Sequence, residues 1–190
     1  MPALSLNASQ KTKQTPAGEI PVDWGCVRLE DVSRVITGST PPDSINEAFG
    51  GEIPFITPGD LDKNAWVKST ERTLTPDGLK ASRTIPKNST VVVCIGSSIG
   101  KCALVIKESG ANQQINAAIP SKEVSPIFLF NATKRGMLKI ARWAGNQAVP
   151  IINKTEFSKL PIPLPPLPEQ RKIADILSTW DRALETLDQL

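Results

Sequence analysis

Few residues of this chain have types and spacings that could support catalysis. Asp60 and Asp62 stand two positions apart after Pro58-Gly59, and such a pair could hold a metal ion or exchange protons, although it more often forms a solvated turn. The sequence contains no histidine, which excludes Ser-His-Asp and Cys-His mechanisms and imidazole metal sites. It also lacks the Asp-x-Lys or Glu-x-Lys triplet after Pro-Asp of many nucleases, and the Asn-Pro-Pro-Tyr or Asn-Pro-Pro-Phe motif of amino-methyltransferases. We therefore expect a non-catalytic protein without metal or cofactor.

The glycine-bounded loop at residues 96–101 is similar to a phosphate-binding loop in composition but not in spacing. That motif needs four residues between its glycines and a Ser or Thr after its lysine. Here three residues separate Gly96 from Gly100, and Cys102 follows Lys101. The flanking segments, 91–95 and 101–106, are rich in β-branched residues, so the pattern predicts a β-hairpin with this loop as its turn.

The residues best suited to bind nucleic acid are concentrated in one segment. The whole chain carries a net charge of only +3, but residues 131–160 contain six basic residues and a single acid, Glu156. We expect phosphate attraction from Lys134, Arg135, Lys139, Arg142 and Lys154. Base reading is assigned to Asn146 and Gln147, whose amides can pair with adenine, and to Ser97, Ser98 and Lys101. The alternative is an ordinary solvated surface.

The composition describes a globular chain in a reducing compartment. Of its 190 residues, 39% are hydrophobic and 22% charged, which suffices for a folded core. The three cysteines show no Cys-x-x-Cys spacing, so they are expected to be reduced thiols. The first residues lack the apolar stretch of a signal peptide, and no apolar run is long enough to span a membrane. We expect a cytoplasmic protein that does not associate with membranes.

The pattern of apolar residues predicts an α+β fold, with a mostly β body and a few helices. From residue 27 to 118 the apolar runs are short and separated by Gly, Pro, Asn and Asp, as in strands joined by turns. Ser125-Pro126 then provides a helix cap and a proline suited to the first turn. The helix is expected to end at Gly145-Asn146.

The last thirty residues form a second kind of structure. Residues 160–168 hold five prolines, which favour an extended, stiff path. Residues 169–190 contain neither proline nor glycine, and they are expected to form an amphipathic helix. Its apolar residues follow the 4-3-4-3 spacing of a coiled-coil seam, at Ile173, Leu177, Trp180, Leu184 and Leu187. Another helix should pack on this seam.

With these segments assigned, the chain resembles the specificity subunits of type I restriction-modification systems. The most specific match is the proline-rich junction from Leu160 to Gln170, followed by Ile173, Ala174, Ile176 and Leu177 within the helix. Further matches, in order, are Gly18-Glu19-Ile20-Pro21, Gly38-Ser39-Thr40-Pro41, Ile53-Pro54-Phe55-Ile56, and Ser97 and Gly100 followed by Asn112-Gln113. The resemblance implies a subunit that binds double-stranded DNA in a sequence-specific way. Methyltransferase and restriction subunits would supply all catalysis.

The resemblance also implies a domain organisation. We expect a flexible arm at residues 1–17, a DNA target-recognition domain at 18–160, a proline-rich hinge at 161–168 and an assembly helix at 169–190. Full-length family members are similar to two such modules in tandem, whereas one module is found here, so we predict a half subunit. The alternative is a piece of a longer subunit.

The length of the helix suggests how half a subunit could act. Twenty-two residues span about 33 Å, close to the roughly 34–36 Å of one DNA turn. Two copies paired antiparallel through the seam would read a symmetric, interrupted site. A competing interpretation is a non-enzymatic adaptor that uses its Pro-x-x-Pro sequences as a ligand for other proteins.

Overall fold

The computed structural model describes residues 11–45, 47–61, 65–144 and 151–187, and it confirms the expected α+β class. The strands are β1 (Thr12–Thr15), β2 (Gly18–Pro21), β3 (Gly25–Arg28), β4 (Ser33–Thr37), β5 (Phe49–Ile56), β6 (Trp66–Val67), β7 (Arg72–Leu74), β8 (Thr90–Val93), β9 (Cys102–Val105), β10 (Gly110–Ala111), β11 (Ile115–Pro120) and β12 (Pro161–Leu164). The α-helices are α1 (Leu29–Val32), α2 (Pro76–Lys80), α3 (Pro126–Ala144), α4 (Lys154–Ser158) and α5 (Leu167–Leu187). A 3-10 turn covers Pro58–Asp60.

The centre of the fold is a five-stranded sheet in the order β4-β11-β8-β9-β6. Its inner strands are antiparallel, while β6 joins the edge in parallel to β9. All four residues of β8 are buried because the sheet is covered on both faces. Val92 belongs to a cluster with residues of α3, whereas Val91 and Val93 belong to a cluster on the other face. The unbroken apolar run of β8 is the sequence signature of a strand buried on both sides.

The predicted hairpin and the first predicted helix are both present. Strands β8 and β9 pair antiparallel around residues 94–101. Helix α3 starts where expected, and the hydroxyl of Ser125 accepts a hydrogen bond from the Phe128 amide at 3.4 Å. The side chains of Leu129, Phe130 and Met137 are almost fully buried, which fixes α3 against the central sheet.

Residues 12–17 are paired or turned, although we expected them to belong to a flexible arm, and residues 1–10 of that arm lie outside the described residues. Strands β1 and β2 form an antiparallel hairpin, with Ala17 at its turn buried and Ile20 on β2 only 3% exposed. The polar sequence of β1 gives no apolar periodicity because its residues are mostly exposed. Backbone pairing rather than side-chain burial holds this strand.

The proline-rich segment is extended, as predicted, and it is also paired. Strand β12 lies antiparallel to β3, and its Ile162 is fully buried. Proline cannot donate to a central ladder, but it is tolerated in an edge strand, and β12 is one strand of a two-stranded sheet. Helix α5 begins at Leu167, two residues before the expected start, because Pro168 fits the first turn of a helix.

Helix α5 rests on the body by one face only. Gln170, Ala174 and Ser178 are buried, and they recur every four residues, so they form one stripe along the helix. Ala174 belongs to the same cluster as the residues of α3. Within the described residues, no helix is long and apolar enough to cross a membrane.

Candidate nucleic-acid interface

Three loops meet at one end of the central sheet. Residues 38–40 follow the end of β4, residues 94–101 connect β8 to β9, and residues 112–114 precede the start of β11. Because β11 is antiparallel to both β4 and β8, these three connections must lie at the same end of the central sheet. We call residues 37–40, 94–101 and 112–114 the loop end.

The hairpin loop contributes the predicted residues Ser97, Ser98 and Lys101. Gly96 and Gly100 have φ of +96° and +89°, a conformation that favours glycine. The Gly100 amide donates to the Val93 carbonyl at 2.9 Å, which closes the loop. Ser97 and Lys101 are exposed at its surface. The glycines thus serve a turn, in agreement with the hairpin prediction.

The second loop is built from amides that brace one another. Asn112 donates from Nδ2 to Gln114 Oε1 at 3.0 Å, and its Oδ1 accepts from the Gln114 amide at 3.1 Å. Gln114 Nε2 reaches the Ile95 carbonyl at 3.5 Å, which ties this loop to the hairpin loop. Between the two braced residues, Gln113 is exposed. Its Oε1 accepts a hydrogen bond from the Thr40 hydroxyl at 3.0 Å, so its carboxamide is held at the surface.

An arginine outside the predicted binding residues also reaches the loop end. Arg83 donates from its backbone amide to the Ser39 hydroxyl at 2.8 Å, and from its guanidinium to the Thr37 carbonyl at 2.9 Å. Its side chain remains exposed. Arg83 lies more than forty residues from Thr37 in the chain, so no local motif could reveal it. Thr40 and Gln113 belong to the family landmarks, but the sequence gives no sign of the hydrogen bond between them.

The predicted basic residues of α3 divide between two sides of the helix. Lys134 lies with its Nζ 5.6 Å from the ring centre of Phe130. Burial, with a smaller contribution from Cys94, raises the pKa of the Cys102 thiol to about 12, while Lys134 acts in the opposite direction. Burial likewise raises the pKa of Cys94, to about 11, so both thiols are neutral near pH 7.

The other two described basic residues of α3 lie toward the N-terminal hairpin. Arg135 and Lys139 line a small, mostly apolar cavity with Pro16, Leu160 and Pro163. Lys139 Nζ donates to the Ala17 carbonyl at 2.9 Å. This hydrogen bond gives Lys139 a structural role in holding the hairpin, and two N–H donors of its ammonium remain for the phosphate contact that we expected.

Three of the remaining predicted binding residues cannot be placed, because they or their side chains lie outside the described residues. Asn146 and Gln147, and the side chain of Arg142, lie outside them. The described chain resumes at Ile151, which forms an antiparallel bridge with Ile95 of the loop end. Lys154 follows at the start of α4 and is exposed. The returning chain is therefore adjacent to the hairpin loop.

The acidic residue considered for catalysis has a structural role. Asp60 Oδ2 accepts from the amide and hydroxyl of Thr57, each at 2.7 Å, and Oδ1 accepts from the Glu71 amide at 2.8 Å. Asp62 is outside the described residues. In the part of the chain that the structure describes, no group of three or more acidic or cysteine side chains could hold a metal ion.

The predicted seam of α5 is partly turned toward the body. Ile173 packs against the core and Leu177 is half-buried. Trp180, Leu184 and Leu187 are 66%, 58% and 65% exposed, and Ile176, which was not in the predicted seam, is 59% exposed. An apolar stripe of Ile176, Trp180, Leu184 and Leu187 thus faces away from the body.

Comparisons with known proteins agree with this architecture. Residues 21–190 match the family model described as type I restriction modification DNA specificity domain. The chain is 31% identical over 179 residues to the type I restriction enzyme MjaIX specificity subunit of Methanocaldococcus jannaschii, covering 91% of this chain and 41% of that protein. It is 33% identical over 151 residues to the HindI specificity subunit of Haemophilus influenzae, covering 77% of this chain and 33% of that protein.

Solved structures show the same fold. The HsdS subunit of Thermoanaerobacter tengcongensis superimposes with a TM-score of 0.70 at 19% identity, covering 94% of this chain and 42% of that one. The type I restriction-modification S subunit of M. genitalium gives a TM-score of 0.64 at 20% identity, covering 92% and 44%. The chain thus spans less than half the length of these relatives. From the match over residues 21–190, the chain belongs to the type I restriction modification DNA specificity domain family.

Proposed function

We propose that this chain reads double-stranded DNA in a sequence-specific way, and that the loop end is its base-reading surface. The observation that carries the proposal is that three loops meet at one end of the central sheet. Together they present hydroxyl, amide and guanidinium groups at the surface. Hydrogen-bond donors and acceptors of this kind distinguish base pairs in the major groove. A surface fixed by a buried sheet can hold them in register with base edges.

The charges near the loop end support the same assignment. Lys134 lowers the pKa of Cys102, which begins β9 next to the loop end, and Lys154 follows the chain that bridges to Ile95. We assign phosphate contacts to these two residues together with Arg142, while Arg135 lies toward the N-terminal hairpin and would reach phosphates only farther from the loop end. Base reading is assigned to Ser97, Ser98, Lys101, Asn146 and Gln147, to which the geometry adds Thr40, Gln113 and Arg83. Lys139 contributes charge, but its ammonium is engaged with Ala17.

Salt dependence with a matched control tests this proposal. A selection from a pool of random DNA duplexes should enrich one sequence, whose affinity is then measured from 50 to 200 mM KCl. The variant Lys134→Gln/Arg142→Gln/Lys154→Gln should bind more weakly. Its slope of log affinity against log salt should be smaller by roughly 0.9 for each phosphate that the variant no longer neutralises.

The control removes three charges at the opposite end of the sheet. Lys87 precedes β8, Lys107 follows β9 and Lys122 follows β11, and all three are exposed. Lys87→Gln/Lys107→Gln/Lys122→Gln should retain most of the salt slope. A pool that yields no enriched sequence, or two triple variants whose slopes decrease equally, would contradict the assignment of DNA reading to the loop end.

We further propose that the chain acts within a type I restriction-modification complex in the cytoplasm. Methyltransferase and restriction subunits would supply catalysis, and the chain would position them on DNA. The exposed apolar stripe of α5 supports assembly, and we propose that it pairs with the same helix of a second copy.

The adaptor interpretation has less support. A Pro-x-x-Pro ligand must be accessible to a groove on its partner, whereas Ile162 and Pro163 are buried and β12 is paired with β3. Replacing Pro163, Pro165 and Pro166 should therefore change the geometry of α5 without abolishing the binding of a separate partner protein.

A further inference from the structure

The first turn of α5 is tied to the body by two adjacent side chains. Glu169 Oε2 accepts a hydrogen bond from Trp24 Nε1 at 3.2 Å. Gln170 Oε1 accepts from the Ser125 amide at 3.0 Å, and its Nε2 donates to the Pro165 carbonyl at 2.9 Å. These two residues thus join α5 to Trp24 and Ser125, which are distant in the chain, and to the segment that leads into the helix. We call Glu169 and Gln170, with these contacts, the helix clamp.

The burial of Gln170 makes its hydrogen bonds costly to remove. Its side chain is only 2% exposed, and a buried amide has no water to replace a missing partner. Both ends of the carboxamide are used, so its orientation is fixed. Glu169 is half-buried and reaches Trp24 in the turn that follows β2. Two contacts in different directions restrict the tilt of a helix more than either contact alone.

The helix clamp lies away from the loop end. Ser125 follows the far end of β11, whereas residues 112–114 precede its start. Trp24 leads into β3, which pairs with β12 rather than with the central sheet. A change in the clamp can therefore alter the direction of α5 without altering the groups that we assign to base reading.

We propose that Glu169 and Gln170 are positioning residues that set the distance between two DNA half-sites by fixing the direction of α5 relative to the loop end. This inference rests on the proposed function. Helix α5 has 21 residues and a length of about 32 Å. A tilt of about 10° at its first turn moves its far end by about 5 Å, which exceeds the roughly 3.4 Å between base pairs. The clamp controls the spacer, while the loops control the bases.

The test repeats the random-duplex selection with full-length variants of the clamp. Gln170→Met keeps the size of the side chain but removes both hydrogen bonds, and Trp24→Phe keeps an aromatic ring but removes the donor to Glu169. Both variants should select the same half-site bases as the wild type, with a spacer that shifts or broadens by at least one base pair. Glu169→Gln retains the acceptor and should keep the wild-type spacer.

Thr179→Val is the matched control. It removes a side-chain hydrogen bond to the Asp175 carbonyl on the same helix, but that bond does not cross to the body. Its spacer should be unchanged. Enriched half-sites with the wild-type spacing in both clamp variants would overturn the inference and leave DNA reading intact. A wild type that enriches no sequence would overturn DNA reading, and the inference with it.

If the selected DNA contains only one half-site, it has no spacer to compare. A distance measurement on the free chain then tests the clamp. Spin labels at Lys87→Cys and Asp175→Cys, in a Cys26→Ser background diluted with unlabelled chain, report the position of α5 on the body. Gln170→Met should broaden the distance distribution, and Thr179→Val should not. An unchanged distribution in Gln170→Met would contradict the clamp directly.

Discussion

Gln113 presents its carboxamide at the loop end with one atom already engaged. The Thr40 hydroxyl donates to its Oε1, which holds the plane of the amide, and the exposed side chain still offers an Nε2 donor and a second lone pair on Oε1. A preoriented amide loses less conformational entropy when it pairs with a base. We therefore regard Gln113 as the strongest candidate for direct readout among the described residues.

This assignment predicts unequal effects for the two partners of the hydrogen bond. Gln113→Ala should cost about 1–3 kcal/mol of discrimination at one base pair, because both polar groups are removed. Thr40→Val should relax the same position by a smaller amount, since the amide remains but can rotate. Base preference is measured by selection from a random duplex pool. An effect spread evenly over all positions would indicate a backbone contact instead.

At the residue scale, the sequence could suggest this site only in part. Ser97, Ser98 and Lys101 were assigned from a single glycine-bounded loop, and the structure places them at the loop end. Thr40, Arg83 and Gln113 were not assigned because their contacts join segments that are far apart in the chain. Residue types alone do not show which loops end at the same edge of a sheet.

At the scale of elements, the sequence predicted structures that depend on neighbouring residues, but it did not predict which distant strands pair. The β8-β9 hairpin and α3 depend on neighbouring residues, namely glycines at the turn and a Ser-Pro cap, and both are present. The pairing of β12 with β3 joins Ile162 to Val27, and the polar strand β1 has no apolar pattern. Neither could be inferred, because each depends on a backbone partner that composition does not specify.

The basic residues of helix α3 lie on two sides of the helix, so we expect Lys139 and Lys134 to have different roles. Lys139→Met should loosen the β1-β2 hairpin, because the hydrogen bond to the Ala17 carbonyl is removed while the apolar stem is kept. Hydrogen exchange of the hairpin amides should become faster. Lys134→Met is the matched control on the same helix, and it should leave hairpin exchange unchanged. Equal exchange in both variants would contradict the structural role of Lys139.

At the scale of the whole molecule, α5 has one covered face and one open face. Gln170, Ala174 and Ser178 are buried against the body, while Trp180 and Leu184 are more than half exposed. Exposed apolar side chains on one side of a helix favour packing against another helix. The sequence predicted this amphipathic helix, but it could not show that Ile173 and Leu177 would be shared with the body.

The open face of α5 predicts a dimer of two-fold symmetry. Trp180→Asp/Leu184→Asp should convert a dimer into a monomer in sedimentation experiments, because two carboxylates would be buried in an apolar contact. These positions are better suited than Leu177, where a charge would also disturb packing on the body. Thr179→Asp/Thr186→Asp adds the same charge at exposed positions off the stripe, and it should remain a dimer.

Because a two-fold pair presents two identical loop ends, the DNA selected by the dimer should contain two inverted copies of one half-site. A wild-type chain that sediments as a monomer, or a selected site without inverted halves, would contradict pairing through α5.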